Sequence, residues 1–190
     1  WAIQMMYEDG NMPVAASAKM ITMAQKDPSA VVRLYLASAI QRVDKETAWR
    51  LVDALTKHTE DKGDHNLPKM IWFGFEKMVK EDPKRALNIA VNSNIPMITT
   101  FTARRTVDAN EIEDLVAVIH TQPASVNNLL EGMLAGMEGR VDLKSPSNWK
   151  SVYTTLKSEN NRSSQLADDI NTLFGDAEAA KISLAVLSDK

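Results

Sequence analysis

The sequence predicts an all-α chain, and three observations carry that prediction. Apolar residues recur at i, i+3, i+4 and i+7, the spacing that gathers them on one helix face. No stretch alternates apolar and polar residues for long enough to make a strand. Proline, glycine and aspartate fall where helices of ordinary length begin and end. About twelve helices are expected, joined by the short connections typical of antiparallel neighbours.

In chain order, WAIQMMYEDG spaces Trp1, Met5 and Glu8 by helical turns and reaches a glycine stop at Gly10. A chain that starts inside a helix is expected to be a piece of a longer protein. Asp27-Pro28 and Asp82-Pro83 each offer an N-cap oxygen followed by proline at the first helical position, where its missing N–H costs nothing. Between them, residues 45 to 59 carry the stripe Ala48, Leu51, Val52 and Leu55, and residues 67 to 79 carry Leu67, Met70, Ile71, Gly74, Phe75 and Met78. Ile95-Pro96, Gln122-Pro123 and Ser145-Pro146 mark further starts or breaks. Residues 123 to 138 repeat the pattern with Val126, Leu129, Leu130, Met133, Leu134 and Met137. Weaker stripes are Ile112, Leu115, Val116 and Ile119; Trp149, Val152, Tyr153 and Leu156; and Leu166, Ile170, Leu173 and Phe174. Gly63, Gly139 and Gly175 sit where C-terminal stops are expected.

Composition narrows the function classes. With 190 residues, 44% of them hydrophobic, the chain can bury a sizeable core. Its 22 basic and 25 acidic residues leave a net charge of -3 with no long run of either sign, so no electrostatic footprint for nucleic acid is present. No apolar stretch reaches the roughly 20 residues that span a bilayer, so this chain is not expected to insert into a membrane. Cysteine is absent, which excludes disulfides, thiolate metal sites, thiol catalysis and c-type haem attachment within this chain. The ten methionines, Met5, Met6, Met12, Met20 and Met23 among them, fall mostly on helical stripes and are read as core filling, with an exposed Met-rich edge at the N-terminal end.

Unit spacing separates a closed bundle from a stack of helix pairs. DPSAVVRLYLASAIQRV, residues 27 to 43, resembles the second helix of a HEAT repeat in its Asp near the turn, its Val32-Arg33 and its run of Ala and Leu. In such repeats small residues let the adjacent repeat approach, and the arginine bonds back into a neighbouring turn. LPKMIWFGFEKMV occupies the equivalent place about forty residues later, with Gly74 as its small residue, and IPMITTFTARRTV follows about thirty after that. The expected architecture is therefore an α-α superhelix, a HEAT- or armadillo-like solenoid of antiparallel pairs forming one domain over 1–190.

The likeness extends further along the chain. WAIQMMYEDG, DPSAVVRLYLASAIQRV, HTEDKGDHNLPKMIWFGFEKMV, DPKRALNIAVNSNIP and FTARR, in that order, resemble the HEAT-repeat region of the planctomycete-type membrane-bound dehydrogenases. The resemblance is strong over 1–106 and more divergent over 107–190, where LADDINTLFGDAEAA still fits the later helices. In that family a sugar-dehydrogenase-like β-propeller precedes the helices and a c-type cytochrome domain follows them. The resemblance implies a non-catalytic scaffold within an exported protein, periplasmic or extracellular, whose partners are the neighbouring domains and other proteins. Any haem c belongs to the parent; the family's haem motif and catalytic residues have no counterpart here, so no cofactor is expected in this chain.

The candidate sites have plainer alternatives. His58, Glu60, Asp61, Asp64 and His65 put two imidazoles and three carboxylates within eight residues, a donor set that on paper suits a divalent metal. His58 is expected at a helix end and His65 follows the flexible Lys62-Gly63 link, so nothing fixes their convergence. The plainer reading is a solvated loop in which Asp64 or Asn66 accepts N–H bonds from the next helix and Pro68 lies in its first turn. Trp72, Phe73 and Phe75 have the makings of a ligand pocket, but as an extension of the apolar stripe they fit a helix buried on two sides. Arg104 and Arg105, with Arg33 and Arg42, form either an anion-binding groove or ion pairs with Asp27, Asp44, Glu76 or Asp108. No nucleophile elbow, HExxH or phosphate-cradling loop occurs.

Two functions remain in competition. A docking scaffold predicts an elongated, curved chain with contacts through a surface that includes His65, Asn66, Glu76, Arg104 and Arg105. An independent ligand-binding, metal-binding or enzymatic domain predicts a closed globule with a pocket where His65 and the arginines converge.

Overall fold

The computed structural model describes Ile3, Met5 and residues 14–141, 143–159 and 161–188, with side chains described as far as Gly175. Trp1, Glu8 and Gly10, read above as a first helix and its stop, lie outside the described residues. Among the described residues the regular elements are ten α-helices and two 3-10 turns. They are α1 (Val14–Lys26), α2 (Ala30–Ala39), α3 (Lys45–Leu55), a 3-10 turn (Thr59–Gly63), α4 (Leu67–Glu81), α5 (Pro83–Val91), α6 (Pro96–Asp108), α7 (Ile112–Thr121), a 3-10 turn (Pro123–Ser125), α8 (Val126–Met137), α9 (Trp149–Lys157) and α10 (Arg162–Ser188). The protein is all-α, as its periodicity predicts. Its chain divides into two compact units, Trp1–Thr99 and Thr100–Lys190, with the division inside α6.

In the first unit successive helices from α1 to α5 pack on one another, and α1 also packs on α3 and α2 on α4. That alternation stacks the pair α1/α2 on the pair α3/α4. Leu36, Leu51, Leu55, Ile71 and Phe75 are fully buried where the layers meet. Each contributes about 1.5–3 kcal/mol by leaving water. Gly74 allows a close approach: a Cβ there would stand 2.6 Å from both Cβ and Cγ2 of Ile40, the C-cap of α2.

Helix starts differ in detail from the Asp-Pro reading. Asp82 accepts from the Arg85 N–H at 3.0 Å and Pro83 opens α5, as the dipeptide predicts. At Asp27-Pro28 the cap is instead Ser29, whose hydroxyl accepts from Val32 N, while Asp27 turns the chain by accepting from Ser29 N at 2.9 Å. Proline therefore precedes the cap rather than entering the helix. Asp44 caps α3 through Thr47 N at 3.0 Å. That helix ends at Leu55, short of the residue 59 expected from its stripe, because the turn after α5 claims its last carbonyls: Asn94 donates its backbone N–H to Thr56 and its side-chain amide to Lys57.

The second unit places α8 against α7 and α10, and α9 against α7 and α10. Trp149 on α9 is buried, lies edge-on to Phe174 with centroids 5.5 Å apart, and donates its indole N–H to Asn171 Oδ1. Two glycines one turn apart let α8 touch α6. A Cβ at position 132 would stand 2.1 Å from the Thr100 carbonyl oxygen, and one at position 136 would stand 2.9 Å from that of Arg104. Gly139 has φ +73° just after α8 and ends it, as its position predicts. Gly175 does not: it lies inside α10 with open space around it, so glycine alone does not end a helix where no left-handed residue is required. Among the described residues no helix is long and apolar enough to cross a membrane.

Candidate functional site

The polar loop flagged by the sequence is built around a buried arginine. Arg33 sits on α2 with 1% of its surface exposed, and Asp61 of the 3-10 turn is 2% exposed. Their side chains meet as a two-pronged pair, Nε to Oδ2 and Nη2 to Oδ1, each at 2.6 Å. Arg33 Nη1 also donates to the Asp27 carbonyl at 2.8 Å, and Glu60 stands 3.5 Å from Nη2. The bond to Asp61 raises the pKa of the guanidinium further, so the charge is permanent. One fork therefore fastens the α1–α2 turn, α2 and the 59–63 turn together.

His58 closes the same cluster. Its Nδ1 meets Glu60 Oε1 at 2.9 Å and its Nε2 meets the Ala24 carbonyl, at the end of α1, at 2.7 Å. Both ring nitrogens face oxygens at hydrogen-bond distance, so neither is open to a metal. Glu60 is held below its ordinary carboxylate range by its own backbone N–H and then by His58. Asp64 accepts from Asn66 N at 2.8 Å and Leu67 N at 2.7 Å, which likewise depresses its pKa, Leu67 contributing most. Asn66 holds the N-cap position of α4 without a side-chain cap bond, so of the two candidate caps the working oxygen is that of Asp64. His65 and Asn66 are exposed. Among the described residues no group of three or more His, Cys, Asp or Glu side chains is placed to hold a metal ion.

The other predicted residues are dispersed. Pro68 lies in the first turn of α4 and is buried. Trp72 is half-buried and edge-on to Phe75 with centroids 6.1 Å apart, whereas Phe73 is 57% exposed. Thus α4 is not buried on two sides as its aromatic run predicts; its core face is Leu67, Ile71, Gly74, Phe75 and Val79. Glu76 is half-buried and Arg42 exposed in the first unit. In the second unit Arg104 is exposed and Arg105 half-buried.

Three further groupings carry no sequence motif. Arg85 reaches Glu46 with two bonds of 2.8 Å and stacks over the Trp49 ring, its Cζ 4.7 Å from the centroid. Asp168 accepts from Tyr153 OH at 2.9 Å and pairs with Lys157. The bond to Asp168 raises the Tyr153 pKa, the wrong direction for a tyrosine base or nucleophile. Last, α8 and α10 frame an open groove of about 650 Å³. Partners 28 and 39 residues apart, as in Arg33–Asp61 and Glu46–Arg85, leave no local trace in a sequence. The groove's one trace was Leu134, which the sequence counted in the core stripe of α8 and which is instead half-exposed in the groove.

Comparison with protein-family models, with curated proteins and with solved structures found no match to this chain.

Proposed function

We propose that this chain is a non-catalytic scaffold of stacked helix pairs that docks protein partners, of the HEAT type, within a larger exported dehydrogenase. The observation that carries this reading is the engagement of the loop 58–64. Its richest donor set, His58, Glu60, Asp61 and Asp64, is taken up by Arg33, by the Ala24 carbonyl and by the first N–H groups of α4. A general base needs a lone pair aimed at substrate, and a metal site needs several converging ones. These groups instead tie one helix to the next, which is what a repeat stack requires of its turns. The packing of α1 on α3 and α2 on α4 supports the same reading.

The gene sequence on either side of the region tests the parentage. A propeller upstream and a Cys-x-x-Cys-His motif downstream are the expected result, and their absence would overturn the dehydrogenase assignment. For the chain itself, calorimetric titration with Zn²⁺ or Ca²⁺ is expected to give no saturable heat. Stoichiometric binding that is lost in His65→Ala would replace the scaffold reading with a metal-binding one.

A further inference from the structure

Helix α8 carries one buried apolar face and, beside it, a mixed face of leucine, alanine and glutamate. The buried face holds Leu129, Leu130, Met133 and Met137. The mixed face, with Glu131, Leu134, Ala135 and Glu138, recurs at i, i+3, i+4 and i+7 and forms one wall of the 650 Å³ groove. The opposite wall is a similar face of α10, with Leu166, Asp169 and Leu173. Leu134, Leu166 and Leu173 remain half-exposed along this floor. Among the described residues, every charged side chain lining the groove is a carboxylate. Glu131 is paired with Arg162; Glu138 and Asp169 face no cation among the described residues.

We propose that the groove between α8 and α10 docks a basic amphipathic helix of a partner protein. A channel walled by two helices takes a third helix by ridges into grooves, with anchors at i, i+3, i+4 and i+7. The floor fits Leu-type anchors, and the rim selects lysine or arginine beside them. Glu138, just past the end of α8, and Asp169 on α10 stand on opposite walls of the groove, so the partner's basic residues flank its apolar anchors on both sides. Nucleic acid is disfavoured because the rim repels phosphate. A second copy is disfavoured because a two-fold contact through this face sets carboxylate against carboxylate. This inference rests on the reading of the chain as a docking module and assigns that module its partner's chemistry.

The test uses the full chain and a fluorescein-labelled helical peptide of about 14 residues, with Leu at i, i+3, i+4 and i+7 and Lys elsewhere. Fluorescence anisotropy is expected to show saturable one-to-one binding. The Glu138→Lys/Asp169→Lys variant, whose altered side chains are exposed and whose fold is checked by its melting curve, is expected to bind about tenfold more weakly. A matching Leu/Glu peptide is expected not to bind. No saturation with the Lys peptide, equal binding of the Glu peptide, or unchanged affinity in the variant would overturn the proposal. So would self-association of the chain in sedimentation that the same variant abolishes, because the occupant is then a second copy. Failure here removes the groove's assignment, whereas failure of the scaffold reading appears separately as metal binding lost in His65→Ala.

Discussion

Replacing Asp61 by alanine is the sharpest perturbation of the first unit. It leaves a guanidinium that is 1% exposed with the Asp27 carbonyl at 2.8 Å and the mostly exposed Glu60 carboxylate at 3.5 Å. Breaking a buried pair by removing one partner costs about 3–5 kcal/mol, because the remaining charge stays desolvated. Glu60 can swing closer and recover part of that, so the expected loss is about 3 kcal/mol, a large share of the roughly 5–15 kcal/mol that holds a domain folded. The double variant Arg33→Met/Asp61→Leu removes both charges and fills the same volume. It is expected to lie within about 2 kcal/mol of the parent, since a buried pair often exchanges for apolar residues with little net change. Urea unfolding followed by tryptophan fluorescence measures all corners of the cycle, with Trp49 buried in this unit as reporter. A loss under about 1 kcal/mol for Asp61→Ala, the range of an exposed pair, refutes the reasoning. So does a cycle with no coupling between the two positions.

Other consequences are as direct. Gly132→Ala is expected to destabilise by about 2 kcal/mol, because the new methyl runs into backbone at 2.1 Å and only about 1 kcal/mol returns from better helix propensity. Gly175→Ala, in open space inside α10, is expected to stabilise by up to about 1 kcal/mol; matching signs in thermal melts would contradict the close α6–α8 contact. Acid should weaken the fold through its caps. Hydrogen bonds from Thr47 hold the Asp44 pKa below its ordinary 3.8, so its contribution is complete above that value and is lost as pH falls through the lower folded value. Asp44→Asn keeps the cap oxygen and is expected to lose less stability than the parent between about pH 5 and pH 3; identical losses contradict this.

The legible part of this molecule was what local spacing encodes. Asp82-Pro83 starts α5, Pro96 starts α6 and Gly139 ends α8, because each works through its own backbone dihedrals. Asp27-Pro28 misleads by two residues because Asp27 spends its carboxylate on the Ser29 N–H and Ser29 supplies the cap instead. Gly175 misleads because glycine tolerates a left-handed stop without demanding one. Phe73 shows the limit of an apolar run: hydrophobicity predicted burial on both sides of α4, but Phe73 falls outside the face that its neighbours cover and stays 57% exposed. The candidate site was half-visible. The sequence supplied His58, Glu60 and Asp61 as a cluster and Arg33 as a bonding arginine, yet the natural guesses for that arginine were Asp27, Asp44, Glu76 and Asp108. Asp27 does bond to Arg33, through its carbonyl, but the ion-pair partner is Asp61, and only the folding of the 59–63 turn back onto α2 brings those two together.

Whether the polar loop serves structure or chemistry is tested most directly on the imidazoles themselves. Nitrogen-resolved NMR of His58 and His65 during addition of Zn²⁺ reports each ring separately. The expected result is an unchanged His58 signal, since both nitrogens are held by Glu60 and Ala24, with at most a weak, unsaturated drift at exposed His65. A saturable, concerted shift of both rings at one equivalent of metal would contradict the structural assignment.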